Sequence, residues 1–139
     1  MWWPGPAVTP NFWYEAHNSA GSTTTATRWL MGGGEVAGPT GVATYVLIAN
    51  PGPTAGRARV TVLLDDGGSA FHDYDLPAKS RTNVTMGPDF FLTSERRFAI
   101  LVESIGITPV PIVVERATYA SPAGVTWATG GAALASPLP

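Results

Sequence analysis

Apolar residues in this chain recur at a spacing of two or in short solid runs, and nowhere at the period of a long helix. The densest stretch runs from Phe98 to Tyr119, FAILVESIGITPVPIVVERATY. Its two apolar runs, Phe98 to Val102 and Ile112 to Val114, flank the turn-like Ile105-Gly106-Ile107-Thr108-Pro109. Short β-branched runs bounded by Gly and Pro predict strands, and two of them across a short connection predict a hairpin. Ala99 and Leu101 are apolar alongside Phe98, Ile100 and Val102. Strands apolar on both faces belong in the middle of a packed structure, not at its wet edge.

The rest of the chain repeats this punctuation. Pro4, Pro6 and Pro10 break residues 1–11 into an extended lead-in, and Phe12 to Asn18 reads as a strand. Thr-rich Ser22 to Leu30 suits another, polar on one side. The triplet Gly32-Gly33-Gly34 and the run Gly38-Pro39-Thr40-Gly41 read as loops. Val42 to Asn50 and Ala58 to Leu64 are the next strands, the second with Val60, Val62 and Leu64 inward and Arg59 and Thr61 outward. Asp65-Asp66-Gly67-Gly68 is a tight turn, because glycine supplies the positive φ that such turns require. The return strand, Ala70 to Leu76, sets His72, Tyr74 and Leu76 on one face, and Arg81 to Met86 follows. A short helical turn fits Pro88 to Arg97, with Thr93 or Ser94 capping it before Glu95. Residues 121–139 are small and Gly/Ala/Pro-rich, with Val125 and Trp127 as large anchors.

Strands at this spacing predict an all-β fold, an Ig-like antiparallel β-sandwich of about 7–9 strands. The expected core is Tyr45, Leu47, Val60, Val62, Ile100, Val102, Ile112 and Val114. With 139 residues the chain reads as one module spanning 1–139, its central sandwich at 42–119. Sixteen Gly and thirteen Pro would suit disorder, but the 45% hydrophobic content supports a packed core. A net charge of -2 and scattered arginines give no basic patch, which argues against nucleic acid as a partner. The chain has no Cys, so disulfides and thiolate metal sites are excluded. No apolar run is long enough for a membrane span, and Met1-Trp2-Trp3-Pro4 lacks the regions of a signal peptide. An extracellular location therefore requires an export signal outside this sequence.

The two ends echo one another. Trp3 to Trp29 and Tyr119 to Leu134 share an aromatic, a Pro/Gly turn, a second aromatic about ten residues on, and a small-residue run. Such an echo suggests a repeat unit cut from a longer array, with 1–30 ending one repeat and 119–139 ending the next. The segments WYEAHNSAG (13–21), TRWLMGGGE (27–35), TYVLIANP (44–51), VTVLLDDG (60–67), LPAKSRTNV (76–84) and PIVVERATY (111–119) resemble, in order and spacing, a bacterial extracellular repeat. That family is a β-sandwich module found in tandem in large secreted or surface proteins. The resemblance covers roughly residues 13 to 127 and transfers no catalytic residues. It implies an extracellular or cell-surface location, with neighbouring repeats or copies of the same chain as partners.

Candidate chemistry is sparse. His17 and His72 sit in no metal-ligand spacing, and Glu15 with His17 supplies two ligands at most. A metal or general-base role there is weighed against a hydrogen-bonded structural cluster, which is the first reading. Asp65-Asp66-Gly67-Gly68 lacks the alternating carboxylates of a calcium loop. No cofactor is expected. Trp2, Trp3, Trp13, Tyr14, Trp29 and Trp127 cluster at the echoed ends, where planar rings suit core or inter-repeat packing first and a glycan platform second. Glu35, Glu115 and Arg116 form an expected structural ion pair, with Arg116 buried and Glu35 its first partner. A catalytic carboxylate pair among Glu35, Glu103 and Glu115 is the rival reading. The expectation is thus a non-enzymatic structural or adhesion module, with a carbohydrate-binding module second and a small hydrolase third.

Overall fold

The structure, a computed structural model, describes residues 2–4, 13–16, 18–121 and 129–139, with side chains from residue 18 onward. A two-stranded ribbon, β1 (Trp2–Pro4) with β2 (Trp13–Ala16), precedes the body. The body strands are β3 (Arg28–Val36), β4 (Ala43–Asn50), β5 (Gly56–Leu64), β6 (Ser69–Leu76) and β7 (Ser80–Thr85). The short helix α1 (Met86–Asp89) follows, then β8 (Arg96–Ile105), β9 (Val113–Ala120), β10 (Thr129–Leu134) and β11 (Ser136–Pro137). They form two antiparallel sheets, one ordered β11-β3-β8-β5-β6 and the other β10-β9-β4-β7. Nine strands in two facing sheets make an all-β sandwich.

Alternation decides which side chains meet between the sheets. β8 buries Phe98, Ile100 and Val102 and turns Ala99, Leu101 and Glu103 outward. From β5 come Ala58, Val60 and Val62, and from the facing sheet Val46, Ile48, Val84 and Val114. Each buried Val or Ile contributes roughly 1.5–3 kcal/mol relative to an exposed one. Trp29 and Ile112 complete this core, and Gly56 lets Val110 lie directly against the start of β5.

The expected hairpin between the two densest runs does not form. β8 and β9 lie in opposite sheets, β8 between β3 and β5 and β9 between β10 and β4. Both runs are apolar enough to be central strands. Two central strands bury their inner faces against each other only across the sandwich, so residues 106–112 cross from one sheet to the other. Leu47 is buried as expected and Tyr45 is half-buried, but both lie on the outer face of the four-stranded sheet and not in the core between the sheets. There Leu47, Ala117 and Tyr119 are buried in a second cluster, with Tyr45 edge-on to Tyr119 at 6.0 Å and 73°.

The helical turn sits upstream of its expected place. α1 begins after Thr85 and buries Met86, while residues 93–95 are not helical. The Asp89 carboxylate holds this corner, accepting from the Thr85 amide and the Tyr74 hydroxyl at 3.1 Å each. Burial, with Asp89 beside it, raises the Tyr74 pKa, so the phenol stays a donor. The turn after β5 is as expected, with Gly67 at φ 86 and the Gly68 amide bonded to Asp66 Oδ1 at 2.9 Å.

Candidate functional site at the glycine bulge and the terminal strands

The Gly32-Gly33-Gly34 triplet, expected to be a loop, lies inside β3 as a bulge. Met31 pairs with Ile100 and Gly34 with Phe98, so three steps along β3 oppose two along β8. One extra residue bends a strand and needs an unusual backbone, which Gly33 supplies at φ +70. Gly34 then passes under the Phe98 ring, where a Cβ would have no room. Glycines inside an otherwise strand-like pattern were the available signal for a bulge.

The bulge decides the fate of Glu35 and Arg116. Without it, Trp29, Met31, Gly33 and Glu35 would share the inner face, with Glu35 aimed towards β9. The inserted residue instead turns Gly34 and Val36 inward, and Glu35 faces out to meet Arg97 Nε at 3.5 Å. Arg116 extends from β9 towards the vacated space and donates from Nη1 to the Gly32 carbonyl. It is half-buried, and among the described residues no carboxylate lies within ion-pair distance of it. Glu115, its neighbour, points to the other face of the sheet and accepts from the Ser19 hydroxyl. The expected ion pair of Glu35 or Glu115 with Arg116 is therefore replaced by a contact from guanidinium to backbone. The sheets are tied at this end by Thr44, whose Oγ1 accepts from the Glu35 amide at 3.1 Å and donates to the Glu35 carbonyl at 2.6 Å.

The C-terminal end is built into the sandwich, while β1 and β2 at the other end form a separate ribbon that touches it. The tail holds two strands that its small residues did not reveal. β10 pairs with β9 on the four-stranded sheet, and after buried Ala135 the chain changes sheets so that β11 pairs with β3. The last residues stay attached, the Leu138 amide bonding to the Arg28 carbonyl at 2.9 Å. At the other end β2 lies against β10, and Asn18 and Ser19 line a small cleft with Leu47, Glu115 and Ala117. Trp29 is 1% exposed, and its indole N–H donates to the carbonyls of Ala26 and Ile112 at 3.1 Å each. That burial removes Trp29 from any sugar-binding platform. Trp127 and His17 lie outside the described residues, as do the side chains of Trp2, Trp3, Trp13 and Tyr14.

The remaining candidates are dispersed. Glu35 and Glu103 share the outer face of the five-stranded sheet, but Glu35 pairs in register with Arg97 of β8, and Glu103 lies six residues further along that strand, roughly 20 Å at strand rise. Glu115 faces out from the opposite sheet. No cleft joins the three carboxylates, so the geometry offers no acid–base pair. His72 packs edge-on to Phe90 at 5.1 Å. Among the described residues no three His, Cys, Asp or Glu side chains gather to hold a metal, and no helix is long and apolar enough to cross a membrane.

No family model and no curated protein matches this chain. Its fold is similar to the crystal structure of Thermotoga maritima 1070, with a TM-score of 0.68 over 81% of this chain and 95% of that one. The two sequences are 15% identical, so the likeness is one of fold.

Proposed function

We propose that the chain is a non-enzymatic structural or adhesion module of a secreted or cell-surface bacterial protein, one unit of a tandem array. The observation that carries this reading is the contact between the two echoed ends. β2, from the first copy of the terminal element, lies against β10, from the second. A module whose ends pack side by side on its own sheet offers the next unit a shaped surface in place of a free tether. The charged groups fit the same reading, since Arg28, Arg57, Arg59, Arg96 and Arg97 all engage carboxylates on the surface. The carbohydrate-binding alternative rests on ring faces at the ends, and Trp29 contributes none to it.

A protein of two head-to-tail copies tests the proposal by calorimetry and small-angle scattering. The expected result is a single transition above the melting temperature of one copy, with an elongated particle of narrow size distribution. Two independent transitions at the one-copy temperature, or binding of a glycan in an array screen, would overturn it.

A further inference from the structure

The outer face of the five-stranded sheet carries two parallel rows of side chains in strict register. One row is charged and alternates in sign across β3, β8, β5 and β6: Arg28 pairs with Glu103, Glu103 with Arg59, and Arg59 with Asp73. Arg28 Nε lies 3.2 Å from Glu103, and Arg59 holds Asp73 through two bonds of 2.8 and 3.0 Å. Two residues along lies the second row, Leu30, Leu101, Thr61 and Phe71. The Arg59 guanidinium joins the rows, 4.2 Å over the Phe71 ring. Among the described residues, three of the five exposed large hydrophobic side chains, Leu30, Leu63 and Phe71, lie on this face, with Phe71 56% exposed. Clustering of this kind marks an interaction surface, where single scattered residues would not.

We propose that this face binds a second copy of the chain, sheet on sheet, about a two-fold axis parallel to the strands and passing between β8 and β5. Such an axis reverses the order of strands and keeps each row level with itself. The charged row then meets its own reverse. Arg28 faces Asp73 of the second copy, and Glu103 faces Arg59. In the apolar row Leu30 faces Phe71, and Leu101 faces Thr61. The charges select this axis over its neighbours. Moved beneath β8 it would set Glu103 on Glu103 and Arg28 on Arg59, and moved beneath β5 it would set Arg59 on Arg59. An axis across the strands along the charged row would set every charge on its like. Opposed like charges cost several kcal/mol at an interface, enough to fix the arrangement. Parallel strand directions also suit the aligned packing of twisted sheets, about 10 Å apart.

The test is a complementary charge exchange followed by sedimentation equilibrium at low salt. The unmodified chain is expected to dimerise reversibly, more weakly as salt rises. Chains carrying Arg59→Glu or Glu103→Arg alone should each self-associate about ten-fold more weakly or worse, because each sets like charges opposite in the homodimer. Mixed, the two should recover a heterodimer, since all four facing pairs are again opposite. Cysteine supplies a second readout in a chain that has none of its own. Thr61→Cys and Leu101→Cys chains should form a mixed disulfide with each other faster than either does with itself. A chain that stays monomeric at millimolar concentration would overturn the proposal. So would a charge-exchanged mixture that fails to associate while both chains are folded, or faster self-linkage of the Leu101→Cys chain.

Discussion

The guanidinium of Arg116 stands where a side chain at Gly33 would have to go. A Cβ built on Gly33 falls 2.6 Å from Arg116 Nη1, and the same glycine holds φ +70. Two constraints, one steric and one conformational, thus meet at one position of the bulge. Gly33→Ala is expected to destabilise the protein by about 1–3 kcal/mol in chemical denaturation. The guanidinium is the far end of a flexible side chain and can move aside, so adding Arg116→Ser should recover little, no more than about 0.5 kcal/mol, and leave the conformational share. Gly32→Ala is the control. A Cβ there meets nothing within 4 Å, so its midpoint should move by no more than about 0.5 kcal/mol. Equal effects at Gly32 and Gly33 would show that the bulge is not where β3 places it.

Trp29 presents a smaller hydrogen-bond cost than its two bonds suggest. The carbonyls of Ala26 and Ile112 that accept from the indole also accept from each other's amides, at 2.9 and 3.1 Å. Trp29→Phe therefore orphans neither carbonyl, and its cost should be about 1–3 kcal/mol, mostly from lost volume. A loss near that of Trp29→Ala, about 3–5 kcal/mol, would indicate that the indole N–H carries the site.

Acid should weaken the charged row in a defined order. The Arg59 hydrogen bond, with nearby positive charge, holds the Asp73 carboxyl below its ordinary value of 3.8. A depressed folded pKa contributes stability that is complete above the unfolded value and is lost as pH falls through the folded one. The melting temperature of the parent should therefore exceed that of Asp73→Asn by a constant margin at neutral pH, measured in dilute solution at low ionic strength. The margin should close only below about pH 3.8. Because the pair is solvent-exposed, added salt should shrink it. A margin that grows on acidification would contradict this sign.

Removing residues 1–20 takes Asn18 and Ser19 from the outer face of the four-stranded sheet, where they lie beside Leu47, Glu115 and Ala117. It also takes β2 from its place against β10. An uncovered apolar face and an altered sheet edge favour association. The shortened chain should melt at a lower temperature or self-associate beyond the full chain. An unchanged melting temperature with unchanged association would show that the N-terminal element contributes nothing to the body.

Much of this molecule is legible in local pattern. The β4, β5, β6 and β7 strands, the inward set of Val60, Val62, Val84 and Val114, and the Gly67 turn follow from period-two alternation and turn chemistry. Both depend only on residues close in sequence. Sheet membership does not. Whether β8 pairs with β9 or faces it across the core depends on which edges β3, β5, β4 and β10 occupy, and those are contributed by the whole chain. The same holds for β10, whose small residues carry little strand signal and become a strand because β9 has an open edge. Glu35 shows the smallest scale at which tertiary structure decides. One extra residue at Gly33, which glycine accommodates at φ +70, turns a carboxylate expected inside to the outside. The side-chain period of a strand is two, so a single inserted residue exchanges its faces.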